Sequence, residues 1–471
     1  MPGSLAPGFV LDGFTLRERL HQGGQAVLWR VTHPQYGYPL LMKIPLLWAG
    51  ENPAAIVGFE VEQMILPRLT GVHVPKFVAA GETDRHLYLV MEHIPGPSLR
   101  ERLDDAPLDA AEVARIGARV AAALHELHRQ QVVHLDLKPS NILFRESGEA
   151  VLVDFGLARH ERLPDLLAEE FHLPMGTGPY ISPEQVMYLR GDPRSDVFAL
   201  GVILYYLATG ERPFGNPSSV RALRRRLYRD PVPPRARVPA MPSWLQEVIL
   251  KCLEVEAAKR YASAALVAFD LQHPREVRLS ERAQRLRRDS LAKVARRWTQ
   301  YLGAQPDPRE SESPRAPIIM AAIDLSEGME EFAEAIREAV GDILRNEKHA
   351  RLACVSVIKT SRIAIDEKHD SEGRNLHVKR LIELKHWARP LGIEKDRVSY
   401  HVLEAPDAAT AIIDYSRANK VEHIILGARG SSAFRRYLGS VSSKIVAEAL
   451  CTVTVVRASG EAGGDSEHKS D

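Results

Sequence analysis

Two short stretches bring together residue types that could manage a phosphate tail. HLDLKPSN runs from 134 to 141 and DFG from 154 to 156. They offer two carboxylates and a carboxamide, Asp136, Asp154 and Asn141, the hard oxygen donors that Mg²⁺ prefers. Phosphoryl transfer needs little covalent help, but it needs metal against the β and γ oxygens and an acceptor hydroxyl aimed in line. Asp154 and Asn141 are the candidate metal ligands. Asp136 is placed to accept a hydrogen bond from the acceptor hydroxyl, and Lys138 to steady the transferring phosphate.

The elements that must position these groups appear in order along the chain. PLLMKIPLL at 39 to 47 is an apolar strand pattern with one charge, Lys43, in its middle, and a buried ammonium needs an anionic partner. Glu62 is that candidate. It sits in FEVEQMILPRL at 59 to 69, where Phe59, Val61, Ile65, Leu66 and Leu69 recur at roughly helical intervals, so a carboxylate can face the strand. Downstream, GTGPYISPE at 176 to 184 reads as the end of an activation segment. RSDVFALGVILYYLATGERPF at 194 to 214 reads as a buried helix carrying Asp196, and Arg260 is a plausible partner for Glu184.

With that ordered set, residues 10–275 resemble a Hanks-type protein kinase domain. The resemblance implies an α+β bilobal protein kinase fold with ATP and Mg²⁺ as cofactors. It implies that Lys43 contacts the α and β phosphates and pairs with Glu62, that Asp136 is the catalytic base, and that Asn141 and Asp154 hold metal. LYLVMEHI at 87 to 94 is then the hinge, with backbone groups around Glu92 and Ile94 holding adenine and Met91 closing the pocket behind it. Lys138 resembles the serine/threonine branch, so the implied substrates are protein hydroxyls.

Two departures from the family pattern stand out. In LHQGGQAVLWRV at 20 to 31, His21 and Ala26 occupy positions where the family usually has glycine, leaving Gly23 with Gly24 beside it. Glycine lets backbone amides approach phosphates closely, so weaker ATP binding is expected. Leu135 stands where regulated kinases carry an arginine that pairs with a phosphate on the activation loop. The loop agrees, since residues 157–175 contain no Ser, Thr or Tyr. Thr177 is the first hydroxyl, and its place suggests a structural contact to Asp136. Loop phosphorylation is therefore not the expected switch.

Composition bounds the rest. A chain of 471 residues is too long for one core and suggests about three units on the usual domain scale. Lys and Arg total 62 against 61 Asp and Glu, a formal charge of +1, so nothing global points to nucleic acid. Cys252, Cys354 and Cys451 are widely spaced in apolar contexts and read as thiols of a reducing compartment. No apolar run approaches the roughly 20 residues of a transmembrane helix, and the first residues lack a signal-peptide pattern. A cytoplasmic protein is expected.

Residues 276–302 read as a basic amphipathic helix. Nine basic residues against three acidic ones lie between 275 and 298, with Leu279, Ala283, Leu286, Leu291, Val294 and Trp298 recurring three to five apart. The plain reading packs this helix on the preceding lobe with a solvated charged face. GAQPDPRESESPRAP follows, and residues 303–316 read as a flexible linker. Beyond it strands and helices alternate, from PIIMAAID at 317 to 324 through HIILGARG and SVSSKIVAEAL to TVTVVRA. Such alternation builds an α/β doubly wound five-stranded parallel sheet, with its ligand site at the carboxyl ends of the strands.

GARGSSAFRRYLGSVSSKI at 427 to 445 is the stretch through which residues 317–458 resemble a universal stress protein domain. The resemblance implies a second nucleotide site, with Gly427, Gly430, Gly439, Ser440 and Ser442 around the phosphates and Asp324 toward the base or ribose. Eight residues separate Gly430 from Gly439 where the family more often has nine. It also implies a homodimer through the last strand, an apolar edge that invites pairing. Residues 459–471 read as a disordered tail. The whole reads as an ATP-dependent serine/threonine protein kinase of a bacterial stress or signalling pathway, with a nucleotide-sensing or dimerising module at its C-terminal side. The alternative is a nucleotide-binding pseudokinase scaffold without catalysis.

Overall fold

A computed structural model describes residues 5–22, 26–45, 53–83, 86–171, 173–303, 316–326, 328–347, 349–360, 376–394, 396–428 and 439–457. Gly23, Gly24, Gly430, most of the expected linker and the expected tail lie outside these residues. The chain divides into two compact units, one before the 304–315 stretch and one after it.

The first unit opens with an antiparallel sheet. Its strands are β1 (Val10–Leu11), β2 (Phe14–Gln22), β3 (Ala26–Thr32), β4 (Leu40–Pro45), β5 (Phe77–Glu82) and β6 (Leu87–Glu92), ordered β1-β2-β3-β4-β6-β5. The period of two is visible in its burial: Val27, Trp29 and Val31 of β3 and Leu40, Met42 and Ile44 of β4 share one apolar cluster. Lys43 therefore projects from the other face. There α1 (Pro53–Ile65) packs against β4 and brings Glu62 within reach.

A helical lobe follows. Asp109 caps α2 (Ala110–Arg129) by accepting from the Glu112 amide at 2.9 Å, and Val113, Ile116, Val120, Leu124 and Leu127 form its buried stripe. Two small antiparallel ladders come next. β7 (Val132–Val133) pairs with β10 (Arg159–His160), and β8 (Ile142–Phe144) with β9 (Ala150–Leu152). The stretch 134–141 runs from β7 to β8 and DFG runs from β9 to β10, so the two ladders set the chemistry-bearing loops side by side. The short α3 (Leu166–Glu170) and α4 (Pro183–Val186) lead to α5 (Arg194–Thr209), whose side chains are almost all buried. Gly210, at φ +73°, ends α5 in the left-handed conformation that glycine adopts without steric cost. The lobe is completed by α6 (Val220–Arg224), α7 (Ser243–Cys252) and α8 (Ala264–Gln272).

The expected single basic helix is two helices, α9 (Glu281–Gln284) and α10 (Leu291–Gly303). Gln246 of α7 donates to the carbonyls of Arg282 at 2.8 Å and Arg285 at 2.9 Å, which stops the first from continuing. Six of the nine basic residues between 275 and 298 are exposed, as a solvated charged face requires, while three turn inward to carboxylates. Arg297 binds Asp230 at 2.7 Å and Asp289 at 3.0 Å, Arg285 binds Asp230 at 3.1 Å, and Leu291 is 86% exposed instead.

The second unit alternates as expected: β11 (Ile318–Ala322), α11 (Glu330–Asn346), β12 (Arg351–Lys359), α12 (Leu376–Ala388), β13 (Val398–Ala405), α13 (Ala408–Ala418), β14 (His423–Gly427), α14 (Ser440–Glu448) and β15 (Thr452–Val456). All pairings are parallel in the order β13-β12-β11-β14-β15. Helices cover both faces of such a sheet, which is why all five residues of β11 are apolar and buried. The strand order reverses beside β11, where a crevice opens at the carboxyl ends.

Candidate active site and candidate ligand pocket

Lys43 is the meeting point of three elements. Its Nζ lies 2.6 Å from Glu62 Oε2 on α1 and 3.0 Å from Asp154 Oδ1 after β9. The other oxygen of Glu62 accepts from the Phe155 amide at 3.2 Å, so this carboxylate, 1% exposed, also fixes the start of DFG. Burial works against the Lys43 charge, but Asp154 and Glu62 outweigh it and hold its pKa above the ordinary lysine range. Reciprocally, the Lys43 ammonium holds the Asp154 carboxyl down at about 2, against burial that pushes it up. Phe155 is buried beside His134, ring centroids 5.4 Å apart, which points Asp154 toward Lys43.

Asp136 sits within the same unit in a dense set of donors. Lys138 Nζ reaches its Oδ2 at 2.6 Å, while the amide and hydroxyl of Thr177 both donate to its Oδ1 at 2.8 Å. The contact expected of Thr177 is thus formed. Asn141 donates its amide nitrogen to the Asp136 carbonyl at 3.0 Å, and its oxygen, 3.4 Å from the Ser140 hydroxyl, keeps a second lone pair for a cation. Asp154 and Asn141 are hard oxygen ligands, and with phosphate oxygens and water they fit Mg²⁺, which rarely asks for a full protein cage.

The loop carrying Asp136 is anchored from beneath by Asp196 of α5. The amides of His134 and Leu135 donate to its two oxygens at 2.8 and 2.9 Å, and His128 at the end of α2 lies 2.9 Å from Oδ2. Burial opposes the Asp196 charge, yet His128 and the His134 amide hold its carboxyl below the usual range. Leu135 has φ +63°, a conformation that costs a non-glycine residue about 1–2 kcal/mol. It is held there at both ends, because its carbonyl also accepts from Gln185 Nε2 at 2.8 Å.

The 176–184 stretch is locked by Glu184. Arg260 grips it with two bonds of 2.6 and 2.8 Å, and Ser195 donates to it at 2.6 Å. In the hinge, Met91 is buried and pairs with Leu41, while the Glu92 side chain is held by Arg145 at 2.6 and 2.9 Å. That bidentate grip occupies the Glu92 carboxylate. Lys43, Glu62 and Asp154, and Asp136, Lys138 and Asn141, the residues that the motifs single out, thus come together in two bonded groups. Motif reading missed His128, Gln185 and Arg145, which act on backbone or on other side chains across tens of residues and carry no local spacing signal.

In the second unit a cavity of about 750 Å³ opens at the carboxyl ends of β11, β12 and β14. Asp324, Gly427, Gly439, Ser440 and Ser442 line it, together with Lys359 and Arg380. The N-terminus of α14 thus faces the space, with Gly439 as its cap residue. Asp324 is turned toward its own loop, accepting from the Ser326 amide at 3.1 Å and hydroxyl at 2.6 Å. Gly430 is outside the described residues, so these candidates come together without it.

A family model of the protein kinase domain matches residues 20–272, and one of the universal stress protein family matches residues 317–457. The serine/threonine-protein kinase PknL of Mycobacterium tuberculosis is 32% identical over 266 residues, 56% of this chain and 66% of that protein. Pkn1 of Myxococcus xanthus is 32% identical over 286 residues, 59% of this chain and 41% of that one. PknB of M. tuberculosis is 28% identical, covering 56% of this chain and 43% of the relative. The chain thus spans just under two thirds of PknL and less than half of the other two. The crystal structure of the M. tuberculosis PknI kinase domain covers 57% of this chain and 99% of its own, at 22% identity and a TM-score of 0.45. The matched kinase segment exceeds half of the residues and contains Lys43, Glu62, Asp136, Asn141 and Asp154, and the chain belongs to the protein kinase family, with a universal stress protein domain following its kinase domain.

Proposed function

We propose that the protein transfers the γ-phosphoryl group of ATP to serine or threonine hydroxyls of other proteins. The observation that carries this reading is the Lys43 Nζ seated between Glu62 and Asp154 at 2.6 and 3.0 Å while Asp136 stands among Lys138, Asn141 and Thr177. These side chains supply the groups that the chemistry asks for around the phosphates and the acceptor hydroxyl. Asp154 and Asn141 would hold Mg²⁺, which would supply charge neutralisation for the phosphates, and Lys43 is the cation for the α and β phosphates. The Glu92 and Ile94 backbone receives adenine. The acceptor oxygen attacks the γ phosphorus, the bond to the β–γ bridging oxygen breaks, ADP departs, and Asp136 takes the hydroxyl proton.

The test is incubation of the full chain with labelled ATP, Mg²⁺ and dephosphorylated casein, beside Asp136→Asn. Transfer by the wild type that falls at least a hundredfold in the variant is expected. Equal labelling by both, or none by the wild type, removes the reading and leaves a scaffold.

For the second unit the reading is a nucleotide-sensing, dimerising module. Its support is the cavity at the strand ends with the α14 N-terminus facing it, where backbone amides and helix dipole favour anions. β15 pairs with β14 alone among the described strands, and a half-buried edge of this kind suits pairing with a second copy. Sedimentation of the full chain tests this, with a monomer at all concentrations as the contrary result. A cytoplasmic place of work fits the need for ATP and the free cysteines, with burial pushing the Cys252 thiol up to about 12. No helix among the described residues is long and apolar enough to cross a membrane.

A further inference from the structure

The segment after DFG is held in place without any hydroxyl to phosphorylate. Arg190, which follows α4, reaches back to it: Nε lies 3.1 and 3.0 Å from the two oxygens of Asp165, and Nη2 donates to the carbonyl of Leu157 at 2.9 Å. One guanidinium thereby ties the residue next to DFG, the middle of the segment and its far end. Both side chains are 8% exposed, so the pair is shielded from solvent. Arg159 of β10 approaches the same carboxylate at 3.9 Å. It does so across Gly191, where a Cβ would stand 2.6 Å from the Arg159 Nη1.

Asp165 also caps α3, accepting from the Ala168 amide at 3.2 Å. That helix buries Leu166 and Leu167 and packs against α1, the helix that carries Glu62. On the other side, β10 pairs with β7 immediately before His134. The carboxylate is thus connected through packed elements to both halves of the site, to the Lys43 and Glu62 pair through α3 and α1, and to the Asp136 loop through β10. A phosphate on such a segment orders it by gathering arginines. Here a carboxylate encoded in the chain gathers Arg190 and Arg159, and Leu135 offers no competing guanidinium.

We propose that Asp165 and Arg190 are positioning residues that latch the activation segment in its working arrangement, so that transfer does not depend on phosphorylation of that segment. This rests on the kinase reading above. An aspartate-to-asparagine change keeps a capping oxygen for α3 while deleting the charge, so it separates the latch from the cap.

The experiment uses the full chain with labelled ATP, Mg²⁺ and dephosphorylated casein, and follows trypsin cleavage after Arg159 and Arg162 in parallel. Wild type pretreated with a nonspecific protein phosphatase is expected to keep its kcat within twofold. Asp165→Asn and Arg190→Met are each expected to lower kcat at least tenfold and to speed cleavage, with the double variant no worse than either single, as for groups acting as one unit. Arg190→Lys, which keeps the charge without the fork, should recover part of the loss. Wild-type kcat and cleavage in Asp165→Asn, or a tenfold loss after phosphatase, overturns the latch. If the wild type transfers no phosphate, the kinase reading fails instead, and the latch stands or falls on the cleavage rates of the variants.

Discussion

Lys43 is held by two carboxylates of unequal exposure, and the inequality decides what its loss would do. Glu62 is 1% exposed and Asp154 41%. Removing the ammonium leaves Glu62 as an uncompensated buried charge, a change that costs about 3–5 kcal/mol when one partner of a buried pair is deleted. Lys43→Met should therefore lower stability by an amount of that order, read as a shift in the urea midpoint at constant slope. The same substitution releases Asp154. With Lys43 present its pKa lies at about 2, below the ordinary 3.8. A depressed carboxyl contributes stability above its unfolded value and loses it as pH falls through the folded one, here between about 4 and 2. The contribution is small, since the side chain is screened by water. The carboxyl carbon resonance of Asp154 is expected to titrate near 2 in the wild type and higher in Lys43→Met. An unmoved midpoint would mean that some other cation holds it.

Elements, not motifs, decide which of these residues meet. The period-two pattern of β4 turns Lys43 away from Met42 and Ile44, and the helical spacing of α1 turns Glu62 toward it. That much was legible in the residues from 39 to 69. The Glu184 and Arg260 pair was also foreseen, and its consequence is measurable. The Arg260 side chain is fully buried and also binds the carbonyls of Arg194, Glu254 and Val255, so it joins α4, α5 and the turn before α8. Arg260→Met should destabilise the kinase domain by about 3–5 kcal/mol, whereas adding Glu184→Gln should return part of that, because no bare charge then remains. Thermal unfolding of both variants checks the order. An Arg260→Met protein as stable as the wild type would show that Ser195 alone satisfies Glu184. The break between α9 and α10 was not legible, because a carboxamide 39 residues upstream ends the first helix. Helical spacing registers amphipathicity, and it cannot register a side chain arriving from another helix.

At the scale of the whole molecule the two units answer different questions about phosphate. The kinase domain surrounds its candidate site with side chains, Lys43, Asp136, Asn141 and Asp154. The second domain presents backbone at Gly427, Gly439 and the first turn of α14, with Lys359 and Arg380 lining the same cavity. Alternating strands and helices made that sheet readable from sequence, down to the strand end that carries Asp324. Whether the crevice takes an anion depends on the sign of the field at the α14 N-terminus, which a single exposed position can reverse. Ser440 is the first residue of that helix and lines the cavity. Ser440→Asp places a carboxylate where the helix dipole favours it, so stability should rise by about 0.3–1 kcal/mol. The same carboxylate would repel a phosphate, so ATP affinity at this site should fall at least tenfold, about 1.4 kcal/mol. Stability and binding then move in opposite directions, which a general loosening of the domain could not produce. The measurement is ATP titration of the full chain carrying Lys43→Met and Asp154→Asn, which remove the phosphate cation and a candidate metal ligand of the first site, with and without Ser440→Asp. Binding that persists unchanged in the aspartate variant would place the phosphates elsewhere in the crevice, toward Lys359 and Arg380, and would take the α14 terminus out of the site.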